Sequence, residues 1–176
     1  MSEVPTASQT VGPFFSIGFS HLYARESNAG QAGKQSVTVR GRVLDGDGVG
    51  VPDAVLEIWQ HSMRAPNSEK SGFLRVPTNQ SGGFEFAVEK RKTARDESGA
   101  THAPHAVVLI FMRGLVKHLV TRIYFAGEAA NAEDVVLQSV PQERRATLLA
   151  TDVGAKNFVE WNVHLQGKQE TVFFEA

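Results

Sequence analysis

The sequence predicts an all-β protein, an antiparallel β-sandwich with one short helix and long loops. Its apolar residues recur with period two far more than with period 3.6, the spacing of strands that bury one face. Six or seven apolar runs are present, and each is short. Their connectors are rich in Gly, Asp, Ser and Pro, the residues that make tight turns between the strands of a sandwich.

In chain order, residues 1–35 read as an N-terminal arm and loop, and residues 36–176 as the sandwich core. Within the arm, Thr6–Phe19 is apolar and aromatic, yet Gly12-Pro13 speaks against a helix or a central strand there. Phe14, Phe15 and Phe19 need something to bury them, either this chain's own sandwich or a partner onto which the arm docks. Arg25–Gln35 is a polar loop. Ser36–Leu44 places Val37, Val39 and Val43 on one face, with Gly41 between them. A turn over 45–50 (DGDGVG) and Pro52 lead into Ala54–Gln60, where Ala54, Leu56 and Ile58 share a face. Ser81-Gly82-Gly83 turns the chain into the alternation of Phe84, Phe86 and Val88, and Lys90–Thr101 is a second polar loop. His105–Met112 and Val120–Phe125 are apolar and β-branched enough to be strands buried on both faces. The one expected helix is Gln142–Ala150, entered after Pro141, and Asn157–Leu165 and Thr171–Phe174 are the last strands.

Composition excludes several classes of function. With 176 residues the chain can bury roughly 70% of its unfolded surface in one domain. It has no cysteine, which rules out a thiolate nucleophile, a disulfide and any cysteine-held metal. Eighteen Lys and Arg against nineteen Asp and Glu leave a net charge of -1, without the basic excess that nucleic acid requires. The longest run of large apolar residues, Ala106–Met112, falls far short of the roughly 20 needed to span a membrane. The N-terminus has neither a basic nor an apolar leader region, so a cytoplasmic location is expected.

Histidines are the first candidates for chemistry: His21, His61, His102, His105, His118 and His164. Two ligands on one strand must stand at i and i+2 to face the same way. His102 and His105 are three apart, and the i+2 position from His105 is Val107. This is half of a strand metal site, or else a structural histidine. The 45–48 segment (DGDG) lacks the later ligands of a calcium loop and reads as a turn. No nucleophile elbow occurs, and Asp96, Glu97, Glu128, Glu133 and Asp134 lie in polar segments and read as solvated carboxylates. Arg113-Gly114 ends an otherwise apolar strand. Its guanidinium is either a plain exposed charge or a fork for a carboxylate.

Several segments together are similar to one family. They are 8–15 (SQTVGPFF), 39–48 (VRGRVLDGDG), 52–60 (PDAVLEIWQ), 103–105 (APH), 122–125 (RIYF), and 165–167 (LQG) with 170–174 (ETVFF). In this order and spacing they resemble the intradiol ring-cleavage dioxygenases over nearly the whole chain. The resemblance implies non-haem Fe(III) held by two tyrosines and two histidines in the family's catalytic chains, the histidines in a His-x-His strand. His105 stands at the first histidine position and Val107 at the second. Tyr23 and Tyr124, the only tyrosines, match neither ligand position, and Ser62–Phe73 and Lys90–Thr101 contain none.

The resemblance therefore implies a non-catalytic, iron-free alpha subunit with no metal of its own and a vestigial His105. It would pair in a large hetero-oligomer with a homologous beta chain that carries the Fe(III). It further implies that Thr10, Gly12, Pro13 and Phe14 line the mouth of the partner's pocket. Arg113 would hold the carboxylate of 3,4-dihydroxybenzoate, whose ring the partner opens with O₂ to 3-carboxy-cis,cis-muconate. Two rivals remain. One is a stand-alone transthyretin-like sandwich that binds without catalysis, and the other an iron enzyme using His105 with His102 or His164.

Overall fold

The computed structural model describes residues 6–12, 14–26, 36–60, 72–90, 92–96 and 98–175. Most of the expected loop Arg25–Gln35 (residues 27–35), His61 and most of the tyrosine-free segment 62–73 lie outside them, while Arg25 and Glu26 end the helix Ser20–Glu26 rather than open that loop. Among the described residues eleven strands form: β1 Ser36–Leu44, β2 Val55–Trp59, β3 Phe73–Pro77, β4 Gly83–Glu89, β5 Ala94–Arg95, β6 Thr101–His102, β7 His105–Phe111, β8 Leu119–Phe125, β9 Leu149–Asp152, β10 Phe158–Glu160 and β11 Val163–His164. Nine of them make one sheet in the order β11-β1-β10-β9-β8-β7-β2-β3, with β4 on β1, and β5-β6 is a separate hairpin.

The sheet folds over on itself into the expected sandwich. Val39 and Val43 of β1, Phe84, Phe86 and Val88 of β4, and Ala106, Val108 and Ile110 of β7 meet in one buried core. Period-two alternation produces this directly, since each of these sets occupies one face of its strand. Gly41 is required by close approach: a Cβ there would sit 1.7 Å from the Trp161 carbonyl oxygen and 2.8 Å from the Phe84 ring.

The pairings are not all antiparallel. β1 runs parallel to β10 and β11, and β8 runs parallel to β9. Alternation reveals which face a strand buries but not which neighbour it takes. The expected strand Asn157–Leu165 is split at Trp161-Asn162, where the Asn162 side chain accepts from the Arg42 amide at 2.9 Å in place of a ladder bond. Thr171–Phe174 forms no strand of its own; it joins the sheet through a bridge from Phe174 to Val120 and through Thr171, whose amide donates to His164 O at 2.9 Å. Strand β3 was not expected; it ends in Pro77, which an edge position tolerates.

The expectation of a single helix is corrected. Gln142–Leu148 is a 3₁₀ segment, and among the described residues three short α-helices stand elsewhere: α1 Phe14–Gly18, α2 Ser20–Glu26 and α3 Val135–Ser139. The arm, expected to hold no helix, forms α1 directly after Gly12-Pro13, with Phe15 N donating to Gly12 O at 3.1 Å. Among the described residues, no helix is long and apolar enough to cross a membrane.

Candidate functional site

Helices α1 and α2 lie against the outer face of the sheet. The Phe15 ring packs edge-on to Phe19 at 4.9 Å and on Phe111 of β7 at 5.7 Å. Arg75 of β3 lies over the Phe19 ring at 4.5 Å while its guanidinium pairs with Glu57 at 2.8 Å. Phe14 and Ile17, by contrast, point away from this packing and are 77% and 63% exposed. The three phenylalanines thus divide: two rings are used by this chain and one is presented outward.

Upstream of α1, the Thr10 hydroxyl accepts a 2.9 Å hydrogen bond from the Gly114 amide, across 104 residues of sequence. Gly114 has φ +88, a conformation that favours glycine, and its turn carries Arg113. The Arg113 guanidinium approaches the Asp53 carboxylate at 3.3 Å and stays half exposed. Of the expected substrate-binding residues, Thr10 and Arg113 are therefore brought together. Gly12 and Phe14 are exposed on the same arm, and Pro13 lies outside the described residues. A cleft of about 890 Å³ runs beside this contact, lined by Gln9, Val11, Phe111, Lys117 and His118 among others.

His105 opens β7, and its cross-strand partner is Tyr124 of β8. The two rings lie 5.5 Å apart, and the His102 ring lies 6.1 Å from His105. His105 Nδ1 is 2.8 Å from the Ala103 carbonyl, a contact in which the imidazole nitrogen must donate. Burial pushes the His105 pKa down, so the ring is held neutral with its proton on Nδ1.

Tyr124 is committed elsewhere. Its hydroxyl donates to Asp134 Oδ1 at 3.0 Å and accepts from Arg122 at 3.4 Å. Burial first of all pushes the phenol pKa far above its ordinary value. Asp134 is fully buried, contrary to the solvated role expected for it. Its carboxylate caps α3 through the amides of Val136 and Leu137 and also accepts from the Ala103 amide at 2.8 Å. The signal was present in the sequence, since Asp directly before an apolar helical turn is a favoured N-cap. On the exposed side, His102 Nε2 lies 3.0 Å from Asp96, whose carboxyl is held well below the usual range mainly by the Ser98 hydroxyl and then by His102.

This donor set does not fit ferric iron. His105 has Val107 at i+2, in a cross-strand row with Trp59 and Arg122 that offers no second imidazole. The neighbouring phenol is buried, hydrogen-bonded and resistant to ionisation. Among the described residues, no group of three or more His, Asp or Glu side chains could hold a metal ion.

Comparison with known proteins agrees with the sequence resemblance. No family model matches the chain. It is 40% identical over 193 aligned positions to the protocatechuate 3,4-dioxygenase alpha chain of Burkholderia cepacia, covering 97% of each chain. It is 34% identical to the corresponding alpha chain of Pseudomonas putida, covering 97% of this chain and 96% of that one. Among solved structures, 3-chlorocatechol 1,2-dioxygenase of Rhodococcus opacus 1CP superposes with a TM-score of 0.62 at 18% identity over 76% of this chain and 60% of that one. Catechol 1,2-dioxygenase of Pseudomonas arvilla C-1 gives 0.61 at 17% identity over 82% of this chain and 56% of that one, and both likenesses are of fold. With 40% identity across almost its full length, the chain belongs to the family of protocatechuate 3,4-dioxygenase alpha chains, subunits of an intradiol dioxygenase.

Proposed function

We propose that this chain is the iron-free, non-catalytic subunit of a cytoplasmic protocatechuate 3,4-dioxygenase, completing the substrate pocket of a homologous iron-bearing beta chain. The observation that carries this reading is the Thr10–Gly114 hydrogen bond, which fixes the N-terminal arm to the turn bearing Arg113. In the assembly, residues 1–35 dock on the partner, and Thr10, Gly12, Pro13 and Phe14 line the pocket mouth. Arg113 takes the carboxylate of 3,4-dihydroxybenzoate in a charge-assisted, fork-shaped contact. The partner's Fe(III) supplies the ring-opening chemistry with O₂. This chain's share is to orient the aromatic acid and neutralise its charge.

The test is metal analysis and a ring-cleavage assay on the chain alone and on the complex co-expressed with its beta partner. The chain alone is expected to carry no iron and no activity, and the stoichiometric complex both. Arg113→Ala in that complex is expected to raise KM for 3,4-dihydroxybenzoate at least about tenfold with iron content unchanged, the scale of a lost charge-assisted contact. About one iron per chain in the isolated subunit would overturn the assignment.

A further inference from the structure

Asp53 pairs with Arg113 at 3.3 Å, and both side chains are substantially exposed. A pair so placed contributes little to stability. Its backbone is unusual all the same: Asp53 has φ +63, in the left-handed region that residues other than glycine seldom occupy. The turn that imposes this conformation is locked from both sides by Thr78. The Thr78 hydroxyl donates to Val51 O at 2.9 Å and accepts from Ala54 N at 3.0 Å. The Thr78 amide donates to Ala54 O at 2.8 Å, and Ala54 is buried. The carboxylate is thus mounted on a rigid turn and directed at a guanidinium that would otherwise swing freely on a long side chain.

We propose that Asp53 is a positioning residue for substrate recognition. It holds the Arg113 guanidinium in place while Thr10 fixes the backbone of the same turn through Gly114. A guanidinium carries five N–H donors in a planar fork, so a contact through one Nη leaves others for an incoming carboxylate. Ordering the fork in advance removes a side-chain entropy cost from the binding step. This inference rests on the reading of Arg113 as the carboxylate anchor.

The experiment uses the co-expressed complex carrying Asp53→Asn, which keeps shape and tolerates the left-handed backbone, or Asp53→Gly, which tolerates it without a side chain. Two quantities are read: the kinetics of 3,4-dihydroxybenzoate, and the competitive inhibition constant of 4-methylcatechol, which lacks the carboxylate. Both variants are expected to raise KM for 3,4-dihydroxybenzoate about three- to fivefold with kcat nearly constant, Gly more than Asn. The inhibition constant of 4-methylcatechol stays unchanged. Asp53→Gly added to Arg113→Ala should have no further effect, because Asp53 acts through Arg113. Unchanged KM in both variants, or equal shifts for the two compounds, would overturn the assignment. If Arg113→Ala raises KM while the Asp53 variants do not, only Asp53 loses its role. If Arg113→Ala itself leaves KM unchanged, the anchor reading falls and Asp53 falls with it.

Discussion

Tyr124 and Asp134 meet inside the protein through a 3.0 Å hydrogen bond, phenol to carboxylate, with the His105 ring 5.5 Å from that of Tyr124. The arrangement is structural in character. Asp134 accepts from the hydroxyl of one strand, the amide of Ala103 just before β7 and two amides of α3, so one carboxylate ties three elements together.

Removing that carboxylate should be costly. Asp134→Ala is expected to destabilise the chain by about 3 kcal/mol, combining a lost helix cap with buried donors left unpaired. Tyr124→Phe removes one donor and leaves the cap intact, so about 1–2 kcal/mol is expected. Denaturant midpoints of the two variants check the order. Equal midpoints, or an Asp134→Ala change below about 0.5 kcal/mol, would show that the network is not a joint of the fold.

His105 gives the chain a signature in pH. Its folded pKa lies below the ordinary value of 6.5, chiefly through desolvation, so the unfolded chain takes up this proton more readily. Its effect is therefore absent well above pH 6.5, and stability falls as pH drops through 6.5 toward the lowered folded value. His105→Asn keeps a donor for the Ala103 carbonyl but does not titrate. Between about pH 7.5 and 5, a window that brackets the ordinary histidine range, the wild-type unfolding midpoint should drop more steeply than that of the variant. Parallel pH profiles would mean that the imidazole is not held neutral.

The strand faces were legible where burial forces alternation, and Val39, Val43, Phe84 and Phe86 lie where that pattern puts them; β7, expected to be buried on both faces, instead buries Ala106, Val108 and Ile110 and leaves its other face half-buried. Partner order was not legible: nothing in Leu149–Asp152 tells that it runs parallel to β8. The helices of the arm were not legible either, because Gly12-Pro13 is equally a breaker and a prelude, and the packing of Phe15 and Phe19 on the sheet decides between them. At the site, Arg113 stood out as a charge ending an apolar strand. Asp53 left no trace, because its role depends on a positive φ and on a contact across the sheet. Asp134 was legible as a cap, since it stands directly before Val135, Val136 and Leu137, but its polar neighbours Asn131 and Glu133 favoured a solvated reading over an inward-turned carboxylate.

The split among the arm's aromatic residues separates folding from assembly. Phe15 packs on Phe19 and Phe111, so Phe15→Ala should lower the stability of the isolated chain by about 2–3 kcal/mol. Phe14 and Ile17 are mostly exposed in the chain, so replacing both with Ser should leave that stability within about 0.5 kcal/mol. If the arm docks on the partner, these two side chains are buried there, at roughly 1.5–3 kcal/mol for each one fully covered. The double Ser variant should then weaken association with the iron-bearing chain by at least about tenfold. Titration of one purified chain with the other, tracked through recovered ring-cleavage activity, reads the change directly. Association of wild-type strength in the Ser variant would place Phe14 and Ile17 outside the interface and leave the arm as a cover for its own sheet.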